Sequence, residues 1–185
     1  EVAEMVKLLA KMFRAALSEQ TQSHKIRDEI EYAQAYIRLQ NLRFRDMFFL
    51  QVEVEEQVQD SRVISMILQP VIENSIEHGF KGRRVPLHIV LTGRLKENGT
   101  IMLQICDDGK GISSEKTKEV NRRLEENVCR QPELVEEQEE GRTSIGLRNI
   151  AERIKLQYGD AYYLRLFARE EGAGVEICIP WRETR

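Results

Sequence analysis

Hydrophobic spacing divides the chain into helical and strand segments. Val2, Met5, Val6, Leu9, Met12, Phe13 and Ala16 recur at three- and four-residue steps, the apolar stripe of one helix. Residues 20–23 are polar and break the pattern. A second helix follows, with Ile26, Ile30, Ala33 and Ile37 on one side, and runs out near Arg45. Two such helices fit either a partner chain or a cover over this domain, and the pattern leaves both open. From Phe48 the period becomes two: Leu50, Val52 and Val54 alternate with Gln51, Glu53 and Glu55, a half-buried strand. Ile64, Ile67, Leu68, Val71, Ile72 and Ser75 then form the stripe of a third helix.

Two hairpins follow. Leu87, Ile89 and Leu91 alternate, Asn98-Gly99 supplies a turn, and Ile101, Leu103 and Ile105 alternate back. Near the end, Leu164, Leu166 and Ala168 pair with Val175, Ile177 and Ile179 across "EEGAG". Between the hairpins, residues 112–143 read as irregular and charged, with one short helix around Val120 and Leu124, and "IGLRNIAERIKLQYG" reads as a last helix ending at Gly159. Hairpins require antiparallel pairing, so the expected class is α+β: a two-layer sandwich of a mixed sheet with helices on one face. The expected division is helical segments over 1–45 and a sandwich domain over 46–185.

Composition narrows the function classes. Hydrophobic residues make up 41% of the 185 and charged residues 32%, with net charge -3. That balance predicts a globular domain without attraction to nucleic acid or a membrane surface. No apolar run approaches the ~20 residues of a membrane span. Cys106, Cys129 and Cys178 lack paired spacing, which favours reduced thiols over a zinc site or a disulfide. The chain opens at Glu1 without a methionine, so a piece of a longer protein is expected.

Three short stretches carry chemistry. In "ILQPVIENSIEHGF", residues 67–80, an ideal helix places Asn74 on the flank of the apolar stripe beside Pro70 and His78, with Glu73 and Glu77 toward solvent. An amide oxygen is a neutral, hard ligand that suits a magnesium ion already holding phosphates and water. A histidine one turn later can donate to a phosphate oxygen. Equally, Asn74 fits an ordinary helix edge and His78 the negative end of a helix dipole. In "ICDDGKGI", residues 105–112, a strand delivers Asp107 at its end, where a carboxylate can accept from an exocyclic amine. Gly109 and Gly111 permit positive φ or close backbone approach, although a plain Asp-Asp-Gly turn reads the same. In "TSIGLRN", residues 143–149, a small-residue turn opens into a helix, whose free N–H groups suit an anion or a simple serine cap.

Taken together, in this order, the three resemble the N box and two glycine boxes of the GHKL ATPase superfamily, which includes gyrase, MutL, heat-shock chaperones and histidine kinases. With "IEYAQAYIRLQNLRF" upstream, "LQPVIENSIEHG" and "IGLRNIAERIKLQYG" resemble the LytS/YesM-type bacterial sensor histidine kinases. The resemblance runs from about His24 to Trp181.

It implies a Bergerat-type ATP-binding fold and the catalytic domain of a protein-histidine kinase. By resemblance, Asn74 binds the magnesium bridging the ATP phosphates, with His78 nearby. Asp107 takes the adenine amino group, and Gly109, Gly111 and Ile112 shape the nucleotide floor. Ser144, Gly146 and Leu147 meet the phosphates, and 112–143 is a mobile lid. Ser144 stands where the family often has glycine, and Pro70 where gyrase-like members carry a water-activating glutamate. Glu73 is the remaining, weak candidate for a base. A neutral imidazole nucleophile already has its lone pair, so a kinase of this kind works by positioning and charge stabilisation.

None of His24, His78 and His88 has the family's "HFLFN"-like acceptor context, so the acceptor is expected outside this sequence. Residues 1–45 then read as a remnant of the dimerisation and phosphotransfer helices. The implied parent is a membrane-anchored homodimer with a cytoplasmic catalytic domain and a response-regulator partner. Two other readings stay open. One is a gyrase- or MutL-like ATPase clamp, against which Pro70 and the short final hairpin stand. The other is a degenerate dimerisation module, against which Asn74, Asp107 and the glycines stand.

Overall fold

The computed structural model describes residues 23–126 and 140–182. Its centre is a five-stranded mixed sheet in the order β2-β4-β5-β7-β6. The strands are β2 (Phe48–Val54), β4 (Leu87–Leu95), β5 (Thr100–Asp107), β6 (Tyr163–Ala168) and β7 (Ala173–Pro180). Only the β2–β4 pair is parallel. Both expected hairpins form, and Gly99 closes the first with φ +75°.

Alternation sends Leu87, Ile89, Leu91, Ile101, Leu103, Ile105, Val175, Ile177 and Ile179 to one face. There they meet the apolar stripes of α1 (Ile26–Phe44), α3 (Gln69–Asn74) and α5 (Glu140–Tyr158). The α1 stripe of Ile26, Ile30, Ala33 and Ile37 lies within this same core, so that helix covers its own domain. The first expected helix, Val2 to Ala16, lies outside the described residues.

Asparagine side chains close both sheet edges. On β2, Asn41 of α1 accepts from Phe48 N at 2.9 Å and donates to Phe48 O at 2.8 Å. On β6, Asn121 accepts from Leu166 N and donates to its carbonyl, both at 2.8 Å. Each amide copies a neighbouring strand for one residue and blunts an edge open to foreign pairing.

Three expectations need correction. Ile64 does not belong to the third helix: Arg62–Ile64 forms β3, antiparallel to β1 (Ser23–Lys25). The stripe ran on because a short buried strand and a helix turn both present apolar residues. Second, the short helix expected around Val120 and Leu124 forms but is longer than expected, 13 residues, as α4 (Ser114–Glu126). Ser113 caps it by accepting from Lys116 N at 3.2 Å, Leu124 is buried, and Asn121 ties it to β6. Third, α5 starts at Glu140, before the expected "TSIG" turn. A four-residue helix, α2 (Glu56–Gln59), links β2 to β3.

Candidate nucleotide site

Pro70 explains how α3 tolerates a proline. It lies in the first turn, where its missing N–H was owed no intrahelical partner. After Asn74 the helix widens into a π turn over Ser75–Gly79. The wide turn displaces His78 from the position an ideal helix gives it. His78 is exposed, as is Glu77. Glu73 does not face open solvent: it is half-buried, accepts from Gln69 Nε2 at 2.7 Å, and lies near Tyr32 and Tyr36 of α1. Burial first, and the Glu73 charge second, push both phenols above the ordinary tyrosine range.

Asn74 Oδ1 is buried and accepts no hydrogen bond. A buried carbonyl oxygen without a partner costs about 1–3 kcal/mol, so its retention calls for a use. Among the described residues no cluster of three or more His, Cys, Asp or Glu forms a metal cage. One amide oxygen fits magnesium, which takes one or two protein ligands and fills its shell with phosphate and water.

Strand alternation selects between the two aspartates. Asp107 has the parity of Ile101, Leu103 and Ile105 and turns toward the helices, where it is 5% exposed. Asp108 has the opposite parity. It accepts from His88 N at 2.9 Å, meets His88 Nδ1 at 3.0 Å and lies 3.6 Å from Arg83. Among the described residues no cation pairs with the Asp107 carboxylate. It accepts from Gly109 N at 2.9 Å, from Ser75 and from Ala173 N. Burial dominates these bonds and pushes its carboxyl above the ordinary range. An acceptor held in a dry place without a counter-charge is suited to a neutral amine donor.

The glycines divide their work. Gly111 has φ +78°, a backbone state that glycine adopts freely. Gly109 serves close approach: a Cβ there would lie 2.4 Å from Gly79 Cα. Lys110 N donates to Gly79 O at 3.1 Å, so the first glycine turn is tied to the end of the π turn. Gly79 by this packing, and Ser75 by its bond to Asp107, therefore join the candidate site. The sequence reading missed both, although Gly79 directly follows His78 in the N-box stretch.

Leu147 is a core side chain, 1% exposed, and not a phosphate contact by its side chain. A Cβ added to Gly146 would lie 3.7 Å from Pro70 Cβ, which places α5 beside α3. Because α5 begins at Glu140, the Gly146 and Leu147 amides stand in its second turn instead of at its open end. Ser144 falls within that helix, and its side chain lies outside what is described. Ile112 packs against the core edge and, with Gly109 and Gly111, lines a cleft of about 620 Å³ with Arg83 and Arg169. Asn74 and Asp107 are not among its walls, so this cleft is not the whole nucleotide site.

Family comparison agrees with this geometry. Residues 59–184 match the family of histidine kinase-, DNA gyrase B- and HSP90-like ATPases, and residues 1–48 match a histidine kinase family. The chain belongs to the first of these, a family of ATP-binding domains. A sensor protein kinase of Staphylococcus aureus, HptS, is 29% identical over 174 residues, 94% of this chain and 31% of that protein. The chain thus spans about a third of the length of the curated relatives it matches.

The fold is similar to the mycobacterial sensor histidine kinase MprB, with TM-score 0.57, 17% identity, and 88% of this chain and 99% of that one covered. It is similar too to the histidine kinase domain of a blue-light activated kinase from Erythrobacter litoralis EL346. There the TM-score is 0.55 at 14% identity, over 97% of this chain and 74% of that one.

Proposed function

We propose that the domain binds Mg-ATP and transfers its γ-phosphoryl group to a histidine outside this sequence, for relay to a response regulator. The observation that carries this reading is the buried, unpartnered Asn74 Oδ1, on a helix whose end packs against the Asp107–Gly109 turn. Asp107 accepts the adenine amino group and disfavours a base with an oxygen there. The close packing of Gly79 on Gly109 keeps the Asp107 carboxylate in place for that contact. Asn74 holds magnesium, which when bound neutralises phosphate charge. Residues 112–143 act as the lid, with α4 anchored at its start; residues 127–139 lie outside the described part. Glu73 is engaged with Gln69, and no base is required for an imidazole nucleophile. The parent is a membrane-anchored homodimer, and residues 1–45 supply its dimerisation and connector helices, of which α1 also packs into the core of this domain. Among the described residues no helix is long and apolar enough to cross a membrane.

Radiolabelled ATP tests the transfer. The isolated chain should bind ATP yet form no acid-labile, base-stable phosphoprotein. Adding a separate segment with the acceptor histidine should label that segment, more so at higher concentration. Robust phosphohistidine on His24, His78 or His88 of the isolated chain would relocate the acceptor and sink this reading.

A further inference from the structure

The turn between β3 and α3 is held by side chains from two other helices. Glu29 of α1 accepts from Met66 N at 2.7 Å, Ile67 N at 2.9 Å and Leu68 N at 3.2 Å. From α5, Arg153 donates to Ser65 O at 2.6 Å, and Tyr158 Oη accepts from Ile64 N at 3.0 Å. Met66 takes φ +56°, which a methionine rarely adopts unless its surroundings impose it. Glu29 is 5% exposed, and His24 Nδ1 lies 3.8 Å from its carboxylate. A carboxylate so deeply buried is retained at a cost, and its partners are the amides of the turn that leads into the Asn74 helix.

We propose that Glu29 is a positioning residue for the nucleotide site: it ties the start of α3 to α1, so that the seating of α1 sets where Asn74 Oδ1 stands. α3 is only six residues long, so an error in the turn that leads into it is carried to Asn74 within two turns. α1 lies within residues 1–48, the segment matched to the histidine kinase family, and α5 carries Gly146. The 64–68 turn is therefore where displacements of α1 and α5 converge on the metal ligand. This inference rests on Asn74 being the magnesium ligand.

The test is calorimetry of ATP binding with magnesium and with a chelator. It uses the wild type, Glu29→Gln, Asn74→Ala and the double variant. The amide in Glu29→Gln keeps the shape but offers one acceptor oxygen in place of two. Coupling through Asn74 should make Glu29→Gln weaken Mg-ATP about fivefold or more, leave metal-free ATP within about twofold, and add nothing in the Asn74→Ala background. Equal losses with and without magnesium, or an undiminished loss in the Asn74→Ala background, would make Glu29 merely structural. Where Glu29→Gln is too unstable to titrate, Arg153→Gln releases the same turn from α5 and must show the same magnesium-specific loss. If the wild type gains nothing from magnesium, the assignment of Asn74 fails instead, whatever Glu29 does.

Discussion

Gly79 and Asp107 meet across the site: a Cβ added to Gly79 would lie 3.1 Å from Asp107 Oδ1. The end of the π turn and the end of β5 thus share one small volume, and the absence of a side chain keeps the carboxylate in place. Gly79→Ala should displace that oxygen by a few tenths of an ångström and weaken ATP by a modest factor at nearly normal stability. Gly109→Ala meets backbone instead, at 2.4 Å, and should lower the melting temperature as well. Thermal unfolding beside calorimetry separates the two. Unchanged ATP affinity in Gly79→Ala would take Gly79 out of the site.

Asn74→Ala removes the proposed metal ligand and leaves the proposed adenine contact at Asp107 in place. Mg-ATP affinity should drop strongly while adenosine affinity changes little. Because the orphaned oxygen leaves with it, stability should hold or rise slightly. Parallel titrations with Mg-ATP and adenosine decide this, and equal losses for both would mean a structural Asn74.

Asp107→Asn should cost ATP affinity roughly tenfold or more, since a donor then faces the adenine amine at about 1–3 kcal/mol. Its effect on stability has a defined pH sign. Burial raises the folded carboxyl above its unfolded value, so the folded state binds the proton more tightly. That group therefore favours the folded state increasingly as pH falls through the window between the ordinary and the raised value. Its contribution is poorest at neutral pH. The variant should be at least as stable as wild type at pH 7, and its relative advantage should shrink on acidification. Melting curves against pH would contradict this if the advantage grew as pH fell.

Asn121→Ala should loosen α4 from the edge of β6. Two hydrogen bonds to Leu166 are lost, at roughly 1 kcal/mol each. Amide exchange over residues 114–126 should accelerate, while exchange in β4 and β5 stays slow. Exchange in α4 as slow as in wild type would show that Leu124 alone holds it.

Much of the fold was legible because alternation and turn chemistry are local. Both hairpins, α1 and the strand at Phe48 follow from periodicity alone, and Asn74 and Asp107 stood out by residue type and order. What local pattern could not decide was set by packing. The parity of β5 marks Asp107 as the helix-side carboxylate only once the sheet exists to cover one face. Gly79 joins the site because β5 brings Gly109 against it, a contact across 30 positions that no spacing rule contains. The chain's own stripe hid β3, since a three-residue strand and a helix turn bury apolar residues alike. Glu29 reads in sequence as one more charge on a charged helix. Only the tertiary structure places it beneath three free amides, where burial and hydrogen bonding give a single carboxylate control over the start of the helix that carries Asn74.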